Sequence, residues 1–180
     1  MAFVTECPTK RAKMPDKDLN ALFFHQLKDT YYAENAIAKA LPKFADAAKT
    51  SELKAALTIH AEETRNQVRR LDKVFELLDA KPEGIECKAI EGILAEGDEV
   101  IEEFSGGPAI DAGLISAAQA VEHYEITRYG TLFAWAKQLE LDDVAGLLEE
   151  TLVEEENTDE LLSELAEELA NPTAAGAAAA

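Results

Sequence analysis

The chain has 180 residues, 47% of them hydrophobic, which suits one domain with one substantial core. Against 17 basic residues stand 36 acidic ones, a net charge of −19 with no lysine or arginine stripe to neutralise phosphates. That balance excludes nucleic acid and anionic membrane surfaces as natural partners, and no apolar run approaches the roughly 20 residues needed to span a bilayer.

Residues 1–17 hold two prolines and no periodicity, and read as a flexible N-terminal arm. The arm lacks the apolar stretch of a signal peptide, which points to the cytoplasm. Cys7 and Cys87 are 80 residues apart, match no zinc or redox spacing, and read as free reduced thiols. The first long helix is expected from about Asp18 to Ala48, with an aspartate cap and Pro42 late in it as a kink or local break. A second follows Thr50-Ser51-Glu52, with Ser51 a candidate cap, and runs to about Leu78. The segment Ala80-Lys81-Pro82-Glu83-Gly84 stops it. A shorter helix covers Cys87 to Phe104 and ends at Ser105-Gly106-Gly107-Pro108. The third long helix runs from about Ile110 to Leu139. The fourth starts near Asp142-Asp143, whose charges suit a helix N-terminus, and reaches about Ala170. The segment 171–180 reads as a disordered tail.

Two long hairpins joined by a connection with its own short helix predict an all-α fold. It is an antiparallel four-helix bundle with one long crossover, the ferritin-like arrangement, over residues 18–170. Sliding the chain against itself by 91 positions sets Glu34 on Glu125, Ser51 on Asp142, Leu57 on Leu148, Glu63 on Glu154, Asn66 on Asn157 and Leu71 on Leu162. Six such matches between acidic hairpins carry little weight alone.

The helical faces say more. The first helix shows Phe23, Leu27, Tyr31, Glu34, Ile37 or Ala38, and Leu41 on one side. The second shows Leu53, Leu57, His60, Glu63 or Thr64, Gln67, Leu71 and Phe75. The third long helix shows Ile115, Ala118, Glu122, Glu125, Tyr129, Leu132 or Phe133, and Ala136; the fourth shows Val144, Leu148, Thr151 or Leu152, Glu154 or Glu155, Thr158, Leu161 or Leu162, and Leu165. Each face is apolar at both ends and acidic in the middle. In an antiparallel bundle the middles share one level, so Glu34, Glu63, Glu122, Glu125 and Glu154 converge there. Buried like charges cost several kcal/mol each without positive partners. Arg65, Arg69, Arg70 and Arg128 point away by helical count, so two divalent or trivalent cations are the natural remedy. Carboxylates with an imidazole suit iron or manganese. His60 lies one turn before Glu63 on the same face, as a metal ligand or a hydrogen-bond donor to one. His123 and His25 fall off the inner face. Tyr31 and Tyr129 read mainly as packing.

The segments LFFHQLKDTYYAENAIAKALPKFADAA (22–48), HAEETRNQVRRLDKVFELL (60–78), AAQAVEHYEITRYGTLFAWAKQL (117–139) and LLEETLVEEENTDELLSELAEEL (147–169) resemble the YciE/YciF-type ferritin-like family of bacterial stress-associated proteins. VEHYEITRYGTL is the most specific stretch. The resemblance implies a cytosolic, often dimeric di-metal bundle with ferroxidase or oxidase activity, oxidising Fe(II) with dioxygen or peroxide. By motif it implies ligands at Glu34, at Glu63 with His60, at Glu122 and Glu125, and at Glu154 or Glu155. Related bundles carry Glu-x-x-His on their second and fourth helices. Here Asn66 and Asn157 stand at those positions, leaving a site richer in carboxylate. Two other functions stay open: a non-catalytic helical scaffold with a structural metal or none, and a manganese-dependent catalase-like or peroxidase-like enzyme.

Overall fold

The computed structural model describes residues 17–176; most of the expected arm and the last four residues of the expected tail lie outside them. Five helices carry the fold: α1 (Leu19–Ala47), α2 (Ser51–Leu77), α3 (Lys88–Phe104), α4 (Ile110–Gln138) and α5 (Asp142–Leu165). A π-helical turn, Ala166–Ala170, extends α5 into α6 (Asn171–Ala174), so the chain stays helical four residues into the segment read as tail. The all-α, ferritin-like expectation holds.

The Asp18 carboxylate caps α1 by accepting from the Ala21 N–H at 2.9 Å. Pro42 does not break α1, which runs on to Ala47. Ser51 is not the cap of α2. It is the first helical residue, and the backbone N–H groups of Lys49 and Thr50 donate instead to Asp111, at 2.7 and 2.9 Å. The start of α4 thereby ties down the α1–α2 turn. On α5 the cap position is Leu141, and Asp142 and Asp143 lie in the first turn, where they complement the helix dipole.

Three-residue turns join α1 to α2 and α4 to α5, which makes each pair an antiparallel hairpin. The crossover runs along α1. Lys28 pairs with Glu83, the Ile85 N–H donates to the Lys28 carbonyl, Tyr32 hydrogen-bonds Glu91, and Lys43 pairs with Asp98. This path places α3 over α1 and α4 and delivers the chain to the far end of the bundle, so that α4 starts where α1 ends. The 91-residue offset is kept in three dimensions. Both ends of α1 map onto the ends of α4, and the start of α2 maps onto the start of α5.

The core is split. One apolar cluster gathers Ile37, Leu41, Phe44, Leu53, Leu57, Ile90, Ile110 and Leu114. The other gathers Phe23, Leu27, Leu71, Phe75, Leu132, Val144 and Leu148. Between them lies the polar layer that the faces predicted.

Gly97 shows how tightly α3 is seated. A Cβ there would stand 2.2 Å from Cζ of the buried Phe44 ring. Gly97→Ala is therefore expected to destabilise the protein by about 1–3 kcal/mol, because the overpacking exceeds the gain in helix propensity. A thermal melt showing an unchanged or higher Tm would contradict this.

Candidate metal centre

Four helices each send inward residues to the polar layer: Glu34 from α1, His60 and Thr64 from α2, Glu122 and Glu125 from α4, and Glu155 from α5. All six are buried, none more than 2% exposed. Ligand atoms of His60, Glu122, Glu125 and Glu155 lie within 4.8 Å of one another. Opposite ligands of one small cation stand about 4 Å apart, so a contraction of about 1 Å would close this set on an ion. Glu34 stands beside Glu125 and receives a hydrogen bond from the Tyr129 hydroxyl.

The layer is short of protein partners. Seven carboxylate oxygens, on Glu34, Glu122, Glu125 and Glu155, have no hydrogen-bond partner among the described residues, and neither does either nitrogen of His60. His60 Nδ1 lies 3.2 Å from Glu122 Oε1 without the alignment of a hydrogen bond. Buried polar groups are almost always paired, so this cluster of orphaned carboxylate oxygens and imidazole nitrogens is a donor set that could hold metal ions. The residues therefore fit a bound metal.

Burial sets the protonation states. It pushes Glu34 up to about 7, against a hydrogen bond from Tyr129 that pulls the other way. It pushes Glu122 up to about 8. Glu125 and Glu155 are raised well above the usual carboxylate range by burial and then by neighbouring glutamates. Burial lowers His60 to about 4, so its imidazole is neutral at pH 7 and keeps a lone pair for a metal. The Tyr129 phenol is pushed up by burial and by Glu34, so it stays a donor.

Of the sequence candidates, the structure brings Glu34, His60, Glu122 and Glu125 together and leaves Glu63 and Glu154 outside. On α2 the inward position belongs to Thr64, one residue on from Glu63, which is only half-buried. On α5 it belongs to Glu155. Glu154 turns the other way because Arg70 grips both its oxygens, at 2.7 and 2.8 Å, and Gln67 donates to it at 3.0 Å. These bonds outweigh burial and hold Glu154 below its ordinary pKa. Arg70 is thus less remote than helical counting suggested: besides Glu154 it pairs with Glu150 and donates to the buried Thr151 at 2.7 Å, and its charge pulls the Glu34 pKa down. Tyr129, which the stripe sets on the seam near the acids, is in the site as well as in the core. Tyr31 donates to Asp72 at 2.9 Å, away from the layer. His25 and His123 are exposed. The Cys87 thiol is buried, 3.1 Å from the Tyr124 hydroxyl. No helix among the described residues is long and apolar enough to cross a membrane.

A family profile described as a domain of unknown function, DUF892, matches residues 18–175. The chain belongs to the DUF892 family. Protein YciF of Escherichia coli is 45% identical over 151 residues, covering 83% of this chain and 91% of the relative. Its crystal structure, described as that of a stress protein, superposes with a TM-score of 0.83 at 44% identity, over 87% of this chain and 99% of that one. YcfI from Rhodopseudomonas palustris, described as a structural protein, gives 0.81 at 44% identity, over 84% of this chain and 96% of that one. A protein from Xanthomonas campestris pv. campestris shares the fold at 23% identity and a TM-score of 0.70, over 87% and 96% of the two chains. The resemblance read from the four helical segments is thereby shown, and the chain is YciF-like over nearly all its described length.

Proposed function

We propose that this protein is a di-metal carboxylate protein of ferroxidase or oxidase type, with iron as the metal and Glu34, His60, Glu122, Glu125 and Glu155 as ligands. One observation carries the reading: seven buried carboxylate oxygens and both imidazole nitrogens of His60 lack partners in a single layer of the core. Two cations would neutralise such a layer, whereas the bonds available within the chain, from Tyr129 to Glu34 and between Glu34 and Glu125 and Glu122 and Glu155, leave both nitrogens of His60 unpartnered. Bound iron would supply one-electron redox chemistry toward dioxygen or peroxide.

The chain's own contribution is geometric and electrostatic. The two apolar clusters keep water from the layer on both sides. His60 stays neutral and available. Tyr129 fixes the orientation of Glu34 by donating to it. The relative described as a stress protein supports a stress-related role, and a cytoplasmic homodimer is part of the same proposal.

A structural or absent metal is the second reading, favoured by the relative described as a structural protein. Metal analysis separates the two. Protein loaded anaerobically with Fe(II) is expected to hold about two irons per chain and to develop an absorbance band on exposure to air. Iron held without any oxygen-dependent band would favour the structural reading. No uptake of iron or manganese would overturn the metal centre.

A further inference from the structure

The buried layer raises the question of how a cation reaches it. A cleft of about 160 Å³ between α2 and α5 leads inward from the surface, and its lining includes Ile59, His60, Glu63, Glu154, Asn157 and Thr158. Ile59 and Asn157 stand at its exposed mouth. His60 lies at its buried end, 2% exposed, with neither imidazole nitrogen hydrogen-bonded. Glu63 is half-buried between the two and makes no ion pair or side-chain hydrogen bond among the described residues. Glu154, on the opposite wall, is held by Arg70, which also pairs with Glu150.

From this arrangement we infer that the α2–α5 cleft is the port by which divalent cations reach the buried layer, with Glu63 as the residue that captures them at its throat. The inference rests on the metal-centre reading and adds its access path. An unpaired carboxylate in a low-dielectric cleft focuses field toward its interior and raises the local concentration of cations. The ion sheds water as it passes from Glu63 to His60, one helical turn earlier on α2. The Arg70–Glu154–Gln67 bonds hold the far wall in place, and because Arg70 is shared with Glu150 that wall adds to the negative field Glu63 stands in. Glu63 is then a transit residue and not a permanent ligand, which explains why α2 presents it beside the cleft and turns Thr64 to the core.

The test is the rate at which metal-free full-length protein takes up Co(II), followed by stopped-flow absorption as the ion enters His and carboxylate coordination. Glu63→Gln is expected to slow uptake several-fold, and Glu63→Lys about tenfold or more, at low ionic strength. The difference should shrink in about 0.5 M salt, where exposed charges are screened. The final Co(II) stoichiometry should equal that of the parent. Asn157→Trp, which fills the mouth without changing charge, should slow uptake at every salt concentration. Parent-like rates in both Glu63→Lys and Asn157→Trp would overturn the port. A lowered stoichiometry in Glu63→Gln would overturn it too, by making Glu63 a ligand. If the parent itself takes up no Co(II), the metal centre fails and the port falls with it.

Discussion

Glu125→Ala and Glu155→Ala are each expected to abolish stable metal binding, whereas Glu154→Ala is expected to leave the metal content intact. Glu125 and Glu155 both belong to the set of four residues whose ligand atoms converge. Removing a direct ligand should weaken binding beyond the roughly 10–100-fold cost of losing an outer hydrogen-bond partner. Glu154 is adjacent in sequence to Glu155 yet spends both its oxygens on Arg70 and Gln67. Its loss should appear as a modest fall in thermal stability, through an Arg70 left without its bidentate partner. Metal content measured after extensive dialysis decides the matter. Full metal in Glu155→Ala, or an empty site in Glu154→Ala, would return the α5 ligand to Glu154. The metal-free proteins supply a second readout. Glu125→Gln removes a buried carboxylate but keeps its shape, so without metal at pH 8.5 it should melt higher than the parent.

The second large effect is a reversal of pH dependence on metal binding. In the metal-free protein the folded-state pKa of Glu34 is raised to about 7 and that of Glu122 to about 8, from an ordinary 4.5. The folded state thus holds these protons more tightly than the unfolded chain does. The resulting stability is fully present below pH 4.5 and is lost as pH rises through about 7 and about 8. For Glu34 alone the shift corresponds to about 3 kcal/mol. Glu125 and Glu155 act in the same direction. His60 acts oppositely, because its pKa falls to about 4 and acidification below 6.5 favours the unfolded chain. Metal-free protein should therefore be most stable at mildly acidic pH and should lose several degrees of Tm between pH 6 and pH 8.5. Bound metal requires deprotonated carboxylates, so holoprotein should gain stability over the same interval, and loading should release protons. Melts with chelator and with metal at three pH values would show the crossing. A metal-free Tm that is flat or rises with pH would mean that the inward carboxylates are solvated.

Much of this was legible in the residues, and the reason is periodicity. The buried seam of α1 runs through Phe23, Leu27, Thr30, Glu34, Ile37, Leu41 and Phe44 in alternating steps of four and three, with Ala33 and Ala45 buried beside it. That of α2 runs through Leu53, Leu57, His60, Thr64, Gln67, Leu71 and Val74 on the same rule. Such spacing keeps one seam facing a partner along the whole helix and identifies a bundle. Where polar residues interrupt the seam on every helix, a polar layer must follow. Applied strictly, the same steps choose Thr64 over Glu63, and along Val144, Leu148 and Thr151 they choose Glu155 over Glu154. A broader reading of the apolar face leaves each pair open.

By itself, then, the sequence determined the helices, their pairing into hairpins, the split core and the acidic level within it. All of these depend on local caps, turns and the repeat of side-chain directions along one helix. Only the tertiary structure decided which neighbours at the edge of a face turn inward. Successive helical residues differ by about 100°, so an edge residue is settled by what another helix offers it. Arg70 and Gln67 on α2 draw Glu154 outward on α5, and Glu34 on α1 takes the hydroxyl of Tyr129 from α4. The crossover's path along α1 was likewise decided in three dimensions, by the burial of Cys87, Ile90 and Gly97, with exposed pairs such as Lys28 with Glu83 and Lys43 with Asp98 lying along it.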